Sequence, residues 1–142
     1  TVSVHALFEN KYHLKNKSLL FATKMLGCDA ENINKGVTFY LESSCSEEST
    51  IVLEWAESSF ACDKLSQRIK IDCMQWHNIS FTASSFEIAI FVNGLRISSK
   101  VSSFPNLLDN TIMVGQLPDR SLLGNAIIAS ISIWDHALPE SR

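Results

Sequence analysis

A period of two runs through this chain, and it is clearest between Phe86 and Ile97. Phe86, Ile88, Ile90 and Val92 fall on one side of an alternating run, and Glu87, Ala89 and Phe91 fall on the other. Successive side chains of an extended strand point to opposite faces, so the run predicts a strand. Asn93-Gly94 follows, and Leu95 and Ile97 resume the alternation. Asn-Gly supplies the two positive φ angles of a type I′ turn, so the pair predicts a hairpin.

The same pattern predicts strands at Val2–Phe8, Ser18–Lys24, Val37–Glu42, Thr50–Trp55, Gln67–Asp72, Gln75–Thr82, Thr111–Gly115 and Asn125–Trp134. In the last of these, Ile127, Ala129, Ile131 and Ile133 share one face. Ile128, Ser130, Ser132 and Trp134 share the other, and the serines mark it as mostly solvated. Turn residues separate the strands at 27–36, 43–49, 102–110 and 118–124. No segment carries an apolar stripe at helical spacing; only Leu138-Pro139-Glu140-Ser141 has the early proline of a short helix. Short strands with turns about every eight to twelve residues predict an all-β antiparallel sandwich or barrel.

A chain of 142 residues with 46% apolar content forms one domain, 1–142, with a core of its own. A net charge of −3 gives no basic excess for nucleic acid. No apolar run approaches the ~18 residues of a membrane span, so a membrane is reached only through a flanking segment. The sequence begins at Thr1 rather than Met, as a processed product or an excised piece does. Cys28, Cys45, Cys62 and Cys73 are even in number and contain no C-x-x-C pair, which favours cystines over a zinc ribbon. Asn16-Lys-Ser18 and Asn78-Ile-Ser80 are glycosylation sequons, and together with the cysteines they point to an oxidising, extracellular setting. Alternation turns Ile79 and Phe81 inward and Asn78 outward, as a glycan acceptor requires.

Catalytic constellations are missing from the sequence. His5, His13, His77 and His136 show no metal-ligand spacing. There is no G-x-S-x-G elbow, and five glycines leave no phosphate-cradling loop. Glu54 and Glu57 are three apart, on opposite faces of a strand, which is wrong for a paired-carboxylate cleft. The chain is therefore read as non-catalytic. Trp55, Trp76 and Trp134 each sit in a strand pattern and are read as core.

Several runs occur in an order that resembles the pentraxin and laminin-G-like family of concanavalin A-like lectin domains. They are Thr1-Val-Ser3-Val, Leu20-Phe-Ala-Thr-Lys24, Val37–Leu41, Cys73-Met-Gln-Trp76, Val114-Gly-Gln116 and Ile133-Trp-Asp135. The resemblance implies a jelly-roll β-sandwich of about a dozen strands, without the family's outermost terminal strands. Two departures bear on function. The family's histidine before the signature cysteine is Ile71 here, and its early-strand cysteine matches Ser3, so Cys73 needs another partner. If 18–24, 37–42 and 50–55 form a meander, Cys28 and Cys62 lie at one end and Cys45 at the other, about 17–20 Å away. That separation favours Cys28–Cys62 with Cys45–Cys73, although three connectivities are open. In the family's calcium loops, Asp29, Glu31, Asn32 and Asp119 are the candidate ligands. Leu117 and Pro118 interrupt the second loop, too few oxygens remain for a cation that takes six to eight, and the expected cofactor is none.

The function implied is extracellular recognition or adhesion. The interrupted calcium loop and altered cysteine pattern resemble the receptor-embedded members, including ectodomains of adhesion G-protein-coupled receptors. Expected partners are an extracellular protein or glycan and a second copy joined through strand edges. The rival expectation is a secreted, calcium-dependent lectin for carbohydrate or phospholipid headgroups.

Overall fold

The computed structural model describes residues 1–9, 17–23, 36–42, 48–58, 61–104, 112–115 and 126–139. These hold strands β1 (Val2–Phe8), β2 (Lys17–Thr23), β3 (Gly36–Glu42), β4 (Ser49–Ser58) and β5 (Ala61–Ile69). They continue with β6 (Trp76–Ala83), β7 (Ile88–Val92), β8 (Leu95–Lys100), β9 (Ile112–Gly115) and β10 (Ala126–Ile133). Sheet A has the order β10-β1-β6-β7-β8, and sheet B has the order β5-β4-β3-β2-β9. All pairings are antiparallel. The chain crosses between sheets at β1/β2, β5/β6, β8/β9 and β9/β10. No helix occurs among the described residues. The all-β sandwich is as expected, with ten strands among the described residues in place of a dozen.

Alternation builds the core. Val2, Val4, Ala6, Phe8, Ile79, Phe81, Ile88, Ile90 and Val92 enter it from sheet A. Val37, Phe39, Leu41, Ile51, Leu53 and Trp55 enter it from sheet B. Phe81 ties the layers together: its ring centroid lies 5.1 Å from Phe39, edge to face, and 6.1 Å from Phe21. Phe104 packs 5.7 Å from Phe81 and 5.8 Å from Trp55. Gly36 starts β3 because a Cβ there would lie 2.1 Å from the Thr23 carbonyl oxygen. The Asn93-Gly94 turn has φ of 51° and 81°, as the hairpin requires.

Three expectations fail for identifiable reasons. The first concerns β7, which is buried along its whole length, Ala89 and Phe91 included. Phe86 lies before the strand and is 69% exposed, instead of joining Ile88 in the core. The second concerns β5, expected at 67–72 but found at Ala61–Ile69. It is a polar edge strand in which only Leu65 is fully buried in the core, so its pattern is weak. The third concerns β10. His5 pairs with Ser130 but Ala6 pairs with Ile128, so Ala129 is an extra, bulged residue. A bulge shifts the phase of alternation. Ile128 and Ile131, three apart, therefore both pack on the core, while Ile133 is 46% exposed at the edge of the sandwich.

The two sides of the sandwich differ. Between β5 and β8, Lys100 pairs with Asp63, lies 5.9 Å over the Trp55 ring, and shares the carboxylate with Ser102, whose hydroxyl donates at 3.1 Å. Burial alone would raise the Asp63 pKa, but the Lys100, Lys64 and Ser102 hydrogen bonds together hold it below its ordinary value of 3.8. Between β9 and β10 no strand pairing joins the sheets among the described residues, and Ile112, Val114 and Ile133 are exposed there.

Ile131→Ala is expected to cost about 2 kcal/mol, as for a partly buried core aliphatic. Ile133→Ala should stay within about 0.5 kcal/mol. Urea unfolding compares them, and equal losses would contradict the exposed position of Ile133 at the edge of the sandwich. Because the folded Asp63 pKa is depressed, its contribution is present above pH 3.8 and lost as the pH falls through the folded value. Asp63→Asn should therefore flatten that part of the acid-unfolding curve; an unchanged curve contradicts the pairing.

Candidate functional site

The two outward sheet faces are chemically opposite. On sheet B, Thr38, Tyr40, Val52 and Glu54 alternate with the core residues yet are buried. The Tyr40 hydroxyl donates to the Glu54 carboxylate at 2.8 Å, and the Lys17 ammonium lies 4.9 Å over the Tyr40 ring. Leu19 and Ala22 form a second small apolar cluster with Met113. Strands buried on both faces read as near-continuous apolar runs, as Leu19-Leu20-Phe21-Ala22 does. The outer side of β2, β3 and β4 is thus covered, while Lys64, Ser66 and Arg68 on edge strand β5 are exposed, and Glu54 serves the covered part as a buried hydrogen-bond acceptor.

Sheet A turns a polar face outward. The register aligns Ser132, Ser3 and Ser80 in one row across β10, β1 and β6. Ser130, His5 and Asn78 form the next row, and Ile127, Leu7 and Trp76 the third. From Ser3 to Leu7 the face runs about 13 Å along the strand. Each end carries a tryptophan. Trp76 is 48% exposed and holds the His5 ring edge-on, with centroids 5.2 Å apart. Trp134 is 37% exposed at the other end. The reading of all three tryptophans as core holds only for Trp55, which is 2% exposed. Strand periodicity marks a position as inward or outward only relative to its neighbours, and Trp76 and Trp134 share the outward phase of Asn78 and Ser132.

A shallow cavity of about 160 Å³ opens on this face, lined by Thr1, Ser3, Ser80, Thr82, Phe91, Gly94, Trp134, Leu138 and Pro139. The segment after β10 makes its far wall. The Trp134 N–H donates to the Thr1 carbonyl at 2.9 Å, and the Leu138 N–H donates to Thr1 Oγ1 at 2.8 Å. Thr1 Oγ1 in turn donates to the His136 carbonyl at 3.0 Å. Residues 136–139 are extended or bent, and the rest of the short helix expected at 138–141 lies outside the described residues.

The floor is braced from below by a buried histidine. His77 Nε2 lies 2.8 Å from the Asp72 carbonyl oxygen, and Nδ1 lies 3.2 Å from Asn93 Nδ2. The Asn93 side-chain oxygen accepts from the Asn78 N–H at 2.9 Å, which turns its amide nitrogen to His77. A carbonyl only accepts and an amide NH₂ only donates, so the proton sits on Nε2. This network pins the turn that presents Gly94 to the cavity.

Asn78 is exposed on β6 with Ile79 and Phe81 in the core, the orientation read from the sequence. Cys62 stands on β5 opposite Ala56, and Cys73 follows β5 ahead of β6. Both are disulfide-bonded, and no described cysteine is free. Cys28, Cys45, Asn16, His13 and the calcium candidates Asp29, Glu31, Asn32 and Asp119 lie outside the described residues. Among the described residues no cluster of three His, Cys, Asp or Glu side chains is able to hold a metal, and no helix is long and apolar enough to cross a membrane. Exposed His136 pairs with Asp135 at 2.7 Å, which holds the Asp135 carboxyl below its ordinary range.

No protein-family model matches the chain, and no curated protein matches it. Solved structures share its fold. The CBM40 module of the Ruminococcus gnavus IT-sialidase, solved bound to alpha2,3 sialyllactose, matches with a TM-score of 0.71 at 11% identity, over 98% of this chain and 77% of that one. A native heptameric SAP-like pentraxin from Limulus polyphemus matches with a TM-score of 0.63 at 17% identity, over 98% of this chain and 64% of that one. Sheep galectin-11, in complex with glycerol, matches with a TM-score of 0.56 at 14% identity, over 92% and 86%. At these identities the likeness is one of fold: the chain is an all-β antiparallel jelly-roll sandwich, as its sequence resemblance implied.

Acrylamide should quench Trp76 and Trp134 in the folded protein and spare Trp55. In the double variant Trp76→Phe, Trp134→Phe the remaining emission should be blue-shifted and poorly quenched. Full quenching of that residue would place Trp55 at the surface and contradict the assignment of the two faces.

Proposed function

We propose that this chain is a non-catalytic extracellular recognition domain that binds an uncharged glycan on the outer face of sheet A. The observation that carries the reading is the contrast between the faces. Sheet B is buried outside as well as inside along β2, β3 and β4, whereas sheet A presents rows of serine, threonine and asparagine between two exposed tryptophans. Sugars offer hydroxyl edges and apolar ring faces, and they match such a surface by hydrogen bonding and stacking. The cavity lining contains no charged side chain, which favours a neutral sugar over an acidic one. A serine- and tryptophan-lined face needs no cation, so binding is calcium-independent. The fold of the neighbours supports glycan binding, since the CBM40 module holds sialyllactose; that sugar is acidic, and the preference for a neutral one rests on the cavity lining alone.

Titration with neutral oligosaccharides by calorimetry tests it. Trp134→Ala and Ser80→Val are each expected to weaken binding about tenfold, or ~1.4 kcal/mol, with EDTA making no difference. Binding lost on chelation, or untouched by both substitutions, contradicts it.

A second reading has its own observation. Ile112, Val114 and Ile133 are exposed along the β9/β10 side, where β9 and β10 each end their sheet among the described residues, and a sheet edge accepts another chain. We propose self-association there, the contact an adhesion-receptor ectodomain would use. Light scattering should show a dimer that Ile133→Lys with Val114→Lys dissociates; a monomer at high concentration contradicts it.

A further inference from the structure

We propose that Asn78 is an N-glycan acceptor whose glycan lies over the sheet A cavity, so that the domain exists in a masked and an open form. The masking half rests on the glycan-binding reading above; the acceptor half stands apart from it. Asn78-Ile79-Ser80 is a sequon in which the outward residues are the acceptor and its hydroxyl, and Ile79 is locked in the core. Ser80 lines the cavity. The Asn78 side-chain amide does not project away from the face. Nδ2 donates to Ser3 Oγ at 3.0 Å and Oδ1 lies 3.2 Å from the same oxygen, and Ser3 also lines the cavity. The acceptor nitrogen therefore leans along the strand toward the binding row, within about 7 Å of the Ser80 position. The first sugar on that nitrogen covers Ser3 and Ser80, and the sugars beyond it extend between Trp76 and Trp134.

The chemistry is consistent with the fold. Nδ2 attacks the anomeric carbon of a lipid-linked sugar pyrophosphate. The C–N bond forms, the C–O bond to pyrophosphate breaks, the lipid pyrophosphate leaves, and one amide proton passes to a base. One N–H remains on Nδ2, enough to keep the bond to Ser3. Strand β6 is paired on both sides, with β1 and β7. The acceptor is thus free to enter a transferase only before those strands assemble, and the modification becomes part of the folding chain. The other sequon differs: its Ser18 is fully buried.

The test uses protein secreted from a eukaryotic host. Peptide mass spectrometry reads Asn78 occupancy. Acrylamide quenching of Trp76 and Trp134 and binding to neutral oligosaccharides are then compared between this protein and the same chain made in a host that adds no N-glycan, with Asn78 intact. The expected result is an occupied Asn78 in the first and, in the second, at least a twofold rise in quenching and at least a tenfold gain in binding. A bare Asn78 in the first, or quenching that is the same in both, overturns the proposal. Quenching that rises while neither form binds sugar supports the masking and refutes the glycan-binding reading instead.

Discussion

The contact of Phe81 with Phe39 and Phe21 is the interaction on which the rest of the molecule depends. It comes from the central strand of one sheet and meets the middle of the other, and Phe104 and Trp55 extend it sideways. Edge-to-face and tilted aromatic pairs have preferred geometry as well as area, so they set how the sheets sit on one another. Fixing Phe81 inward on β6 fixes Asn78, Ser80 and Thr82 outward, because strand side chains alternate. The polar recognition face is thus the reverse side of the aromatic core.

That coupling explains why one sheet is available for binding and the other is not. In sheet B the outer side of β2, β3 and β4 is buried and contributes stability: Tyr40 and Glu54 satisfy each other there away from water. In sheet A the outer side of β7 is buried but the rows on β10, β1 and β6 are exposed or half-buried, so those rows are free to vary without loss of core. The wall at Trp134–Pro139 is held by hydrogen bonds to the carbonyl and side-chain hydroxyl of Thr1 rather than by packing into the core. Such a wall costs little to move, which suits the rim of a shallow site.

Much of the fold was legible in the residues. The ends of β1, the Asn93-Gly94 turn and the inward Ile79 and Phe81 follow directly from period two. The phase of β10 was not, because the bulge at Ala129 is set by its pairing with β1, far away in sequence. Edge strand β5 was misplaced because half-solvated positions such as Asp63 and Lys64 carry no apolar signal. The site was half legible. Alternating polar residues at Ser3 and His5, at Asn78, Ser80 and Thr82, and at Ser130 and Ser132 each marked an outward face. Their alignment into rows depends on register, and the cavity wall depends on contacts between opposite ends of the chain, neither of which a single strand pattern encodes.

The most direct measurement is a ¹⁵N-NMR titration of the folded domain, unmodified at Asn78, with a neutral oligosaccharide. The account predicts saturable shifts at the amides of Ser3, Ser80, Trp134 and Leu138 and at the indole N–H of Trp76 and Trp134, with β3 and β4 unmoved. Saturable shifts confined to β3, β4 or the β9/β10 edge, or none at all, would contradict it.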